Sequence, residues 1–243
     1  MLVVFLSKTI KSTALALGLE LRRYNVVYSE HARLHHLLRY KRVDLVLDVG
    51  ASDGEYGRYL RQGGYGGAIL SFEPLPSAHA KLEIAAAGLR PWHVAPRTAV
   101  GAVDGWIDIN VAGNSDSSSI LSMREAHLRA EPESRLVGVE RVAIIRLDSF
   151  RHPSIENAGS ILLKIDTQGY ELEVLKGAPR LLERVVGLQI ELSFTALYEG
   201  QPLYRSVLDW LSERGFNLWG LNPGFVEPES GRLLQCDGLL FRD

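Results

Sequence analysis

The sequence predicts a doubly wound α/β sheet in which strands alternate with helices and the chain ends in an antiparallel pair. Three observations carry this. Val46–Gly54, VLDVGASDG, is an apolar strand that ends in an acid and runs into a glycine-rich turn. Ile69–Pro76, ILSFEPLP, is a second apolar strand that closes on a carboxylate, Glu73. A strand, a glycine turn that opens a helix and a second strand ending in an acid form a βαβ nucleotide-binding unit, with the acid placed for the hydroxyls of a ribose. Near the C-terminus, Phe216–Leu221 and Leu233–Phe241 follow one another with no helix between them, so they must run antiparallel.

The elements follow in order. Residues 1–42 read as an N-terminal helical extension and 43–243 as the main domain. In the extension Leu6, Ile10, Leu17 and Leu21 recur at helical spacing, with Lys11, Arg22 and Arg23 as polar partners. The pattern predicts an amphipathic helix packed on the domain, with contact to a membrane surface or a partner as the alternative. Ser29–Tyr40 is a second helix. Its His31 and His35 share a face, and His36 lies beside them. Without an HExxH pattern or a nearby cysteine they read as packed or solvated residues, not a metal site. Leu45–Val49 is the first core strand, Gly54–Arg61 the first domain helix and Ala68–Phe72 the second strand. Ser77–Ala87 is a helix opened by Pro76 and stopped by Gly88. Trp92–Ala95 and Thr98–Val100 make a third strand and its exit. Trp106–Val111 alternates as an antiparallel strand does, and Arg141–Leu147 is another strand. Between them Ala112–Gly138 is a polar insertion that contains GNSDSSSIL. Ile161–Ile165 leads into Asp166, Glu171–Lys176 starts a helix, Val185–Leu192 is a strand and Pro202–Arg214 an amphipathic helix.

Composition bounds the chemistry. A formal net charge of −2 over 243 residues excludes a global nucleic-acid footprint. One cysteine, Cys236, excludes an internal disulfide framework and reads as a small buried hydrophobe in the last strand. The N-terminal apolar run is too short to span a membrane, and its lysines interrupt it where a signal peptide would be unbroken. A cytoplasmic setting is expected.

The turn Gly50-Ala51-Ser52-Asp53-Gly54 departs from a dinucleotide fingerprint, because Ser52 stands in the second glycine's place. The chain has no phosphate loop of the G-x-x-x-x-G-K-[ST] type. Asp48 precedes the turn, and a carboxylate beside the ligand suits a cationic one better than a diphosphate. S-adenosylmethionine has an amino group, a sulfonium and no phosphate. Asp48, Gly50, Ser52, Gly54, Glu73 and Pro74 are therefore expected to bind it. A second cluster lies in Leu163–Gly177, LKIDTQGYELEVLKG, where Asp166 ends a strand, and Glu191 ends the next. Four acids (Asp48, Glu73, Asp166, Glu191) at carboxyl ends of strands mark a site, since desolvated acids cost free energy unless something pairs them.

The LDVGASDG block, the FEPLP block, the serine run GNSDSSSIL and KIDTQGYELEVLKGA, in this order, resemble the FkbM-type family of S-adenosylmethionine-dependent methyltransferases, from about Val43 to the C-terminus. The resemblance implies a class I methyltransferase fold, a Rossmann-like sheet of seven strands with a reversed last strand. It also implies O-methylation of a hydroxyl, often on a sugar or polyketide. Ser52 stands where that family frequently has Asn; a hydrogen-bonding side chain is kept.

An alcohol is a weak nucleophile, so a base should take its proton as the methyl bond forms. Asp166 is the first candidate, placed also to touch the cofactor; Glu191 is the second, with Lys164 paired to Asp166 on the same side of the strand. Metal-independent chemistry is expected, although Asp166 and Glu191 could supply two ligands to a divalent ion. Ser117, Ser118 and Ser119 of the insertion and Tyr198 and Tyr204 of the following loop, with Phe194, are expected to bind the acceptor: a hydroxyl of a sugar on a glycolipid, a polysaccharide or a secondary metabolite, or else of a polyketide. A nicotinamide-dependent oxidoreductase and a non-catalytic protein that keeps the fold are the readings from other classes.

Overall fold

The computed structural model describes residues 10–243. Its main sheet is built from β1 (Leu45–Val49), β2 (Ala68–Phe72), β3 (Trp92–Val94), β7 (Ile161–Ile165), β8 (Val185–Ser193), β9 (Asn217–Pro223) and β10 (Gln235–Phe241). The spatial order is β3-β2-β1-β7-β8-β10-β9. The first five of these are parallel neighbours, and β10 is wedged antiparallel between β8 and β9. This is the class I, Rossmann-like arrangement, and its reversed strand is the last in the chain.

β1 and β7 are buried at every residue, which is why each reads as a continuous apolar run. The exceptions to apolarity, Asp48 and Lys164, are register partners, so each charge is buried beside its counterion. Helices α2 (Glu30–Tyr40) and α3 (Glu55–Gln62) cover one face through Leu34, Leu38 and Leu60 against Val46, Ile69 and Leu162. α7 (Glu171–Lys176), α8 (Pro179–Leu182) and α9 (Tyr204–Ser212) cover the other through Val174, Leu181, Val207 and Leu211. α2 is fixed at its start by Ser29, whose Oγ accepts the Ala32 amide.

Two expectations about the middle of the chain are corrected. β4 (Ala99–Val100), β5 (Gly105–Ala112) and β6 (Leu136–Ile145) form a separate three-stranded sheet, in the order β4-β6-β5. The segment read as the third strand's exit is thus a strand of the second sheet. β6 also begins five residues before the strand expected at Arg141. Its leading half carries exposed Leu136, Val137 and Val139, with no buried face to give a period-two signal. The insertion narrows to residues 113–135, which hold α5 (Glu125–Ala130). The second sheet packs through Ile109, Val142 and Ile144 onto Leu75 and Ala78, the latter in α4 (Pro76–Ala86).

The N-terminal extension also differs. Residues 10–16 are helical, but Gly18 takes a left-handed φ of 73° just past the end. Leu15, Leu17, Leu19 and Leu21 are exposed and Ala14 alone among residues 10–28 is buried, so the described part of this helix does not pack its apolar residues on the domain. Leu6 lies outside the described residues. α2, by contrast, is packed. Among the described residues no helix is long and apolar enough to cross a membrane.

Candidate active site

One cavity of about 690 Å³ opens above the carboxyl ends of β1, β2 and β7 and continues toward β9 and β10. Its size is that of a small-molecule site. One end is built by the two turns that follow β1 and β2. Gly50 has φ 75°, and a Cβ there would lie 1.8 Å from the Asp166 carbonyl oxygen, so no other residue fits without moving β7. The amides of Gly50 and Ala51 both donate to Phe72 O. Ser52 has φ 45°; its amide donates to Glu73 Oε2 at 2.9 Å and its hydroxyl to Asp116 Oδ1 at 2.7 Å. Glu73 Oε1 accepts the Leu75 amide at 2.8 Å. Glu73 thus ties the two turns together while lining the cavity beside Pro74. Burial pushes its carboxyl up to about 7, against the two amide bonds.

Gly50, Ser52, Glu73, Pro74, Lys164 and Asp166 line the cavity as expected of site residues, as do Ser118 and Ser119. Other expectations are corrected. Gly54 does not line it; with φ 87° it caps α3 and abuts Leu82. Asp48 is fully buried beneath the turn, out of the cavity. It accepts from Ser71 Oγ at 3.0 Å and pairs with Lys164 Nζ at 3.4 Å. Lys164 Nζ also donates to Gly50 O at 3.0 Å and lies 3.6 Å from Asp166 Oδ2. Burial opposes the Lys164 charge, but Asp48, Asp166 and Asp237 hold its pKa above the ordinary lysine value. Burial raises the Asp48 carboxyl, with Lys164 and Ser71 pulling the other way.

Glu191 is likewise outside the cavity. Gln168 Nε2 bonds Asp166 Oδ1 at 2.9 Å and both Glu191 oxygens, and Gln235 Nε2 reaches Glu191 Oε2 at 2.7 Å. Burial, with Asp166 and Glu171 nearby, pushes the Glu191 carboxyl well up. Tyr198 is completely buried, with its hydroxyl 2.9 Å from both Ser117 O and Gln168 Oε1. Ser117 itself faces inward to Asn114 and His127. Burial lowers His127 to about 4, so it is neutral at neutral pH. Tyr204 packs on Phe194 at the start of α9. Ser117, Tyr198 and Tyr204 therefore do not line the cavity. Tyr198, through Ser117 O and Gln168, and Ser119, whose hydroxyl donates to Gln168 O at 2.7 Å, lash the insertion to the turn after β7.

The far wall of the cavity was not foreseen. It consists of Glu30, His31 and Leu34 of α2, Tyr56 and Tyr59 of α3, Gln189, and Asn222, Pro223 and Asp237 of the β9–β10 pair. Tyr56 donates its hydroxyl to Gln189 Oε1 at 2.9 Å, and Gln189 Nε2 donates to Asp237 Oδ2 at 3.1 Å.

The lining decides between cofactor classes. Seven carboxylates (Glu30, Asp53, Glu55, Glu73, Asp116, Asp166, Asp237) face one permanent cation, Lys164, which is already paired. A pyrophosphate would meet no free positive charge there, and a cationic adenosine-bearing ligand would be attracted. Glu73 and the tight Gly50 turn suit the adenosine common to both classes; the acidic lining favours the cationic ligand, S-adenosylmethionine.

The family comparison agrees. A family model described as the methyltransferase FkbM domain matches residues 48–218. The 2-O-methyltransferase NoeI of Sinorhizobium fredii (strain NBRC 101917 / NGR234) is 29% identical over 174 residues, covering 69% of this chain and 70% of that protein. Among solved structures, TehB from Haemophilus influenzae overlaps with a TM-score of 0.49 at 11% identity. That overlap covers 88% of this chain and 62% of TehB, so the chain spans less than two thirds of its length. Magnesium protoporphyrin IX methyltransferase (ChlM) from Synechocystis PCC 6803, with bound SAM, overlaps with a TM-score of 0.46 at 10% identity, covering 88% of this chain and 78% of that one. The family match extends over well more than half of the 243 residues, from Asp48 through the insertion to β9, and the chain belongs to the FkbM family of methyltransferases, whose methyl donor is S-adenosylmethionine.

Proposed function

We propose that the chain methylates a hydroxyl oxygen of an uncharged sugar, carried on a glycolipid, a polysaccharide or a secondary metabolite. The observation that carries this reading is the far wall of the cavity. The rings of Tyr56 and Tyr59 offer flat apolar surface beside Gln189, Asn222 and Asp237, a mixture suited to the alternating C–H and O–H surface of a sugar ring. NoeI, by its name a 2-O-methyltransferase, supports transfer to oxygen. The acidity of the lining disfavours phosphorylated acceptors as it disfavours a dinucleotide.

S-adenosylmethionine, consumed as a substrate, supplies the electrophilic methyl carbon. Glu73 and the Gly50 turn hold its ribose, and Asp166 faces its charged end. The walls exclude water and bring the acceptor oxygen into line, which supplies much of the rate enhancement in such displacements. The test incubates the protein with methyl-labelled S-adenosylmethionine, neutral glycosides, the corresponding sugar phosphates and polyketide alcohols, and locates the label by NMR. Label on a glycoside oxygen, with sugar phosphates at least about tenfold poorer, is expected. Label on nitrogen overturns the reaction class; label on a polyketide alone overturns the acceptor class.

A further inference from the structure

We propose that Asp237 is the group that takes the acceptor's proton, a role that rests on the hydroxyl-transfer reading above. The acids around the cavity divide by what their oxygens already do. Asp48 is sealed below the turn. Both Glu73 oxygens accept backbone amides at the ribose end. Asp166 is engaged on both sides, Oδ2 by Lys164 and Oδ1 by Gln168. Glu191 is capped by Gln168 and Gln235 outside the cavity. Of the other lining acids, Asp53 and Asp116 belong to the Gly50 end, Asp53 paired with Arg58 and Asp116 accepting from Ser52, Glu55 is exposed, and Glu30 lies 3.9 Å from Arg22. Asp237 lines the opposite end of the cavity with Oδ2 engaged by Gln189 and, among the described residues, no hydrogen bond to Oδ1.

Its place on the sheet supports the role. Asp237 is the register partner of Glu191, and Asp166 directly follows Ile165, which pairs with Ile190. Asp166, Glu191 and Asp237 thus stand side by side on three adjacent strands, with Asp237 farthest from the Glu73 end. The carboxylate is oriented by a chain that begins at Tyr56 and passes through Gln189. An acceptor that rests on Tyr56 and Tyr59 has Asp237 within its polar edge.

In the step itself the acceptor oxygen bonds the methyl carbon as its O–H proton passes to Asp237 Oδ1. The electron pair of the broken methyl–sulfur bond leaves with the sulfur, so a neutral thioether, a methyl ether and a protonated carboxyl result. Burial raises the Asp237 carboxyl, Asp166 pushes it the same way, Lys164 and Gln189 pull it down, and Glu30 of α2 adds a small upward push. Glu191 from β8 and Tyr56 from α3 face the same region. A raised carboxyl is a stronger base than a free aspartate.

The experiment measures methyl transfer to a panel of p-nitrophenyl hexosides and deoxyhexosides from pH 5 to 9, for the wild type and for Asp237→Asn, Asp237→Ala, Asp166→Asn and Glu191→Gln. Titration calorimetry with S-adenosylhomocysteine accompanies each. Asp237→Asn keeps shape and can still accept from Gln189. It is expected to lower kcat by about 10²–10⁴-fold, to lose the acid limb of the kcat profile and to hold S-adenosylhomocysteine within about twofold of the wild type. Formate is expected to restore part of the Asp237→Ala activity and none of that lost in Asp166→Asn. Wild-type kcat and an intact acid limb in Asp237→Asn overturn the assignment, as does formate rescue confined to Asp166 variants. No transfer by the wild type to any glycoside overturns the sugar reading; the same comparison of Asp237→Asn with the wild type on the polyketide alcohols then decides the base.

Discussion

Glu73 ties two turns together and lines the cavity with one carboxyl: it receives two backbone amides, and burial raises its pKa against them. Its carboxyl is pushed up to about 7, above the ordinary glutamate value of 4.5. The folded state therefore binds the proton more tightly than the unfolded chain. This contribution to stability is present below about pH 4.5 and is lost as pH rises through about 7. In the empty protein, the wild type is expected to lose stability relative to Glu73→Gln on going from pH 5 to 8, by up to about 3 kcal/mol; denaturant melts at both pH values check this. The same variant is expected to bind S-adenosylmethionine more weakly by about 1–3 kcal/mol, read by calorimetry at pH 8. A parallel pH dependence in both proteins would contradict the first expectation. Lys164 poses the opposite case: it exists to neutralise Asp48 and hold Gly50 O. Lys164→Met leaves a buried carboxylate without its counterion and is expected to cost about 3–5 kcal/mol in a urea melt, with less than 1 kcal/mol falsifying the buried-pair account.

At the scale of elements, the turn after β7 is the junction on which the site depends. Gln168, at φ 53°, bridges Asp166 and Glu191, and buried Glu171 accepts the Thr167 and Gly169 amides. Tyr198 joins this turn to the insertion through Gln168 and Ser117. The tyrosines expected to touch the acceptor are instead parts of this scaffold or of the α9 packing. Tyr198→Phe removes a buried hydroxyl that two oxygens face and is expected to cost about 1–3 kcal/mol of stability, whereas Tyr204→Phe is expected to fall within about 0.5 kcal/mol of the wild type. Thermal melts of the two variants separate a buried strut from a half-buried ring that packs on Phe194. These roles were hidden in the sequence because a tyrosine in a loop carries the same letter whether it points at a ligand or away from one. The N-terminal helix is present, but its expected packing on the domain failed for a different reason. Its periodicity reports an apolar stripe, not whether anything covers that stripe, and Leu15 and Leu17 are exposed.

Over the whole molecule, what was legible follows from burial. Strands β1, β2 and β7 are buried on both faces and end in acids, so their positions, the βαβ unit and the Glu73–Gly50 end of the site could be read from local pattern. The second sheet was missed because the first half of β6 is solvated and leaves no alternation to read. The far wall of the cavity was missed because it joins α2 and α3 to the β9–β10 pair, which lies more than a hundred residues later in the chain. Asp237 sits in QCDGLLF, a run with no motif of its own. The fold alone sets this acid next to Gln189 and opposite the Glu73 end of one acidic cavity; in the proposed reading the Glu73 end takes the donor and the Asp237 end the acceptor. That two-ended cavity is the central claim, and a crystal structure with S-adenosylhomocysteine bound tests it most directly. The ribose hydroxyls are expected on Glu73, the amino acid part by Asp166, and the thioether sulfur turned toward the space bounded by Tyr56 and Asp237. A nucleoside seated on the α2 and β9–β10 side, or a sulfur turned away from Asp237, would contradict it.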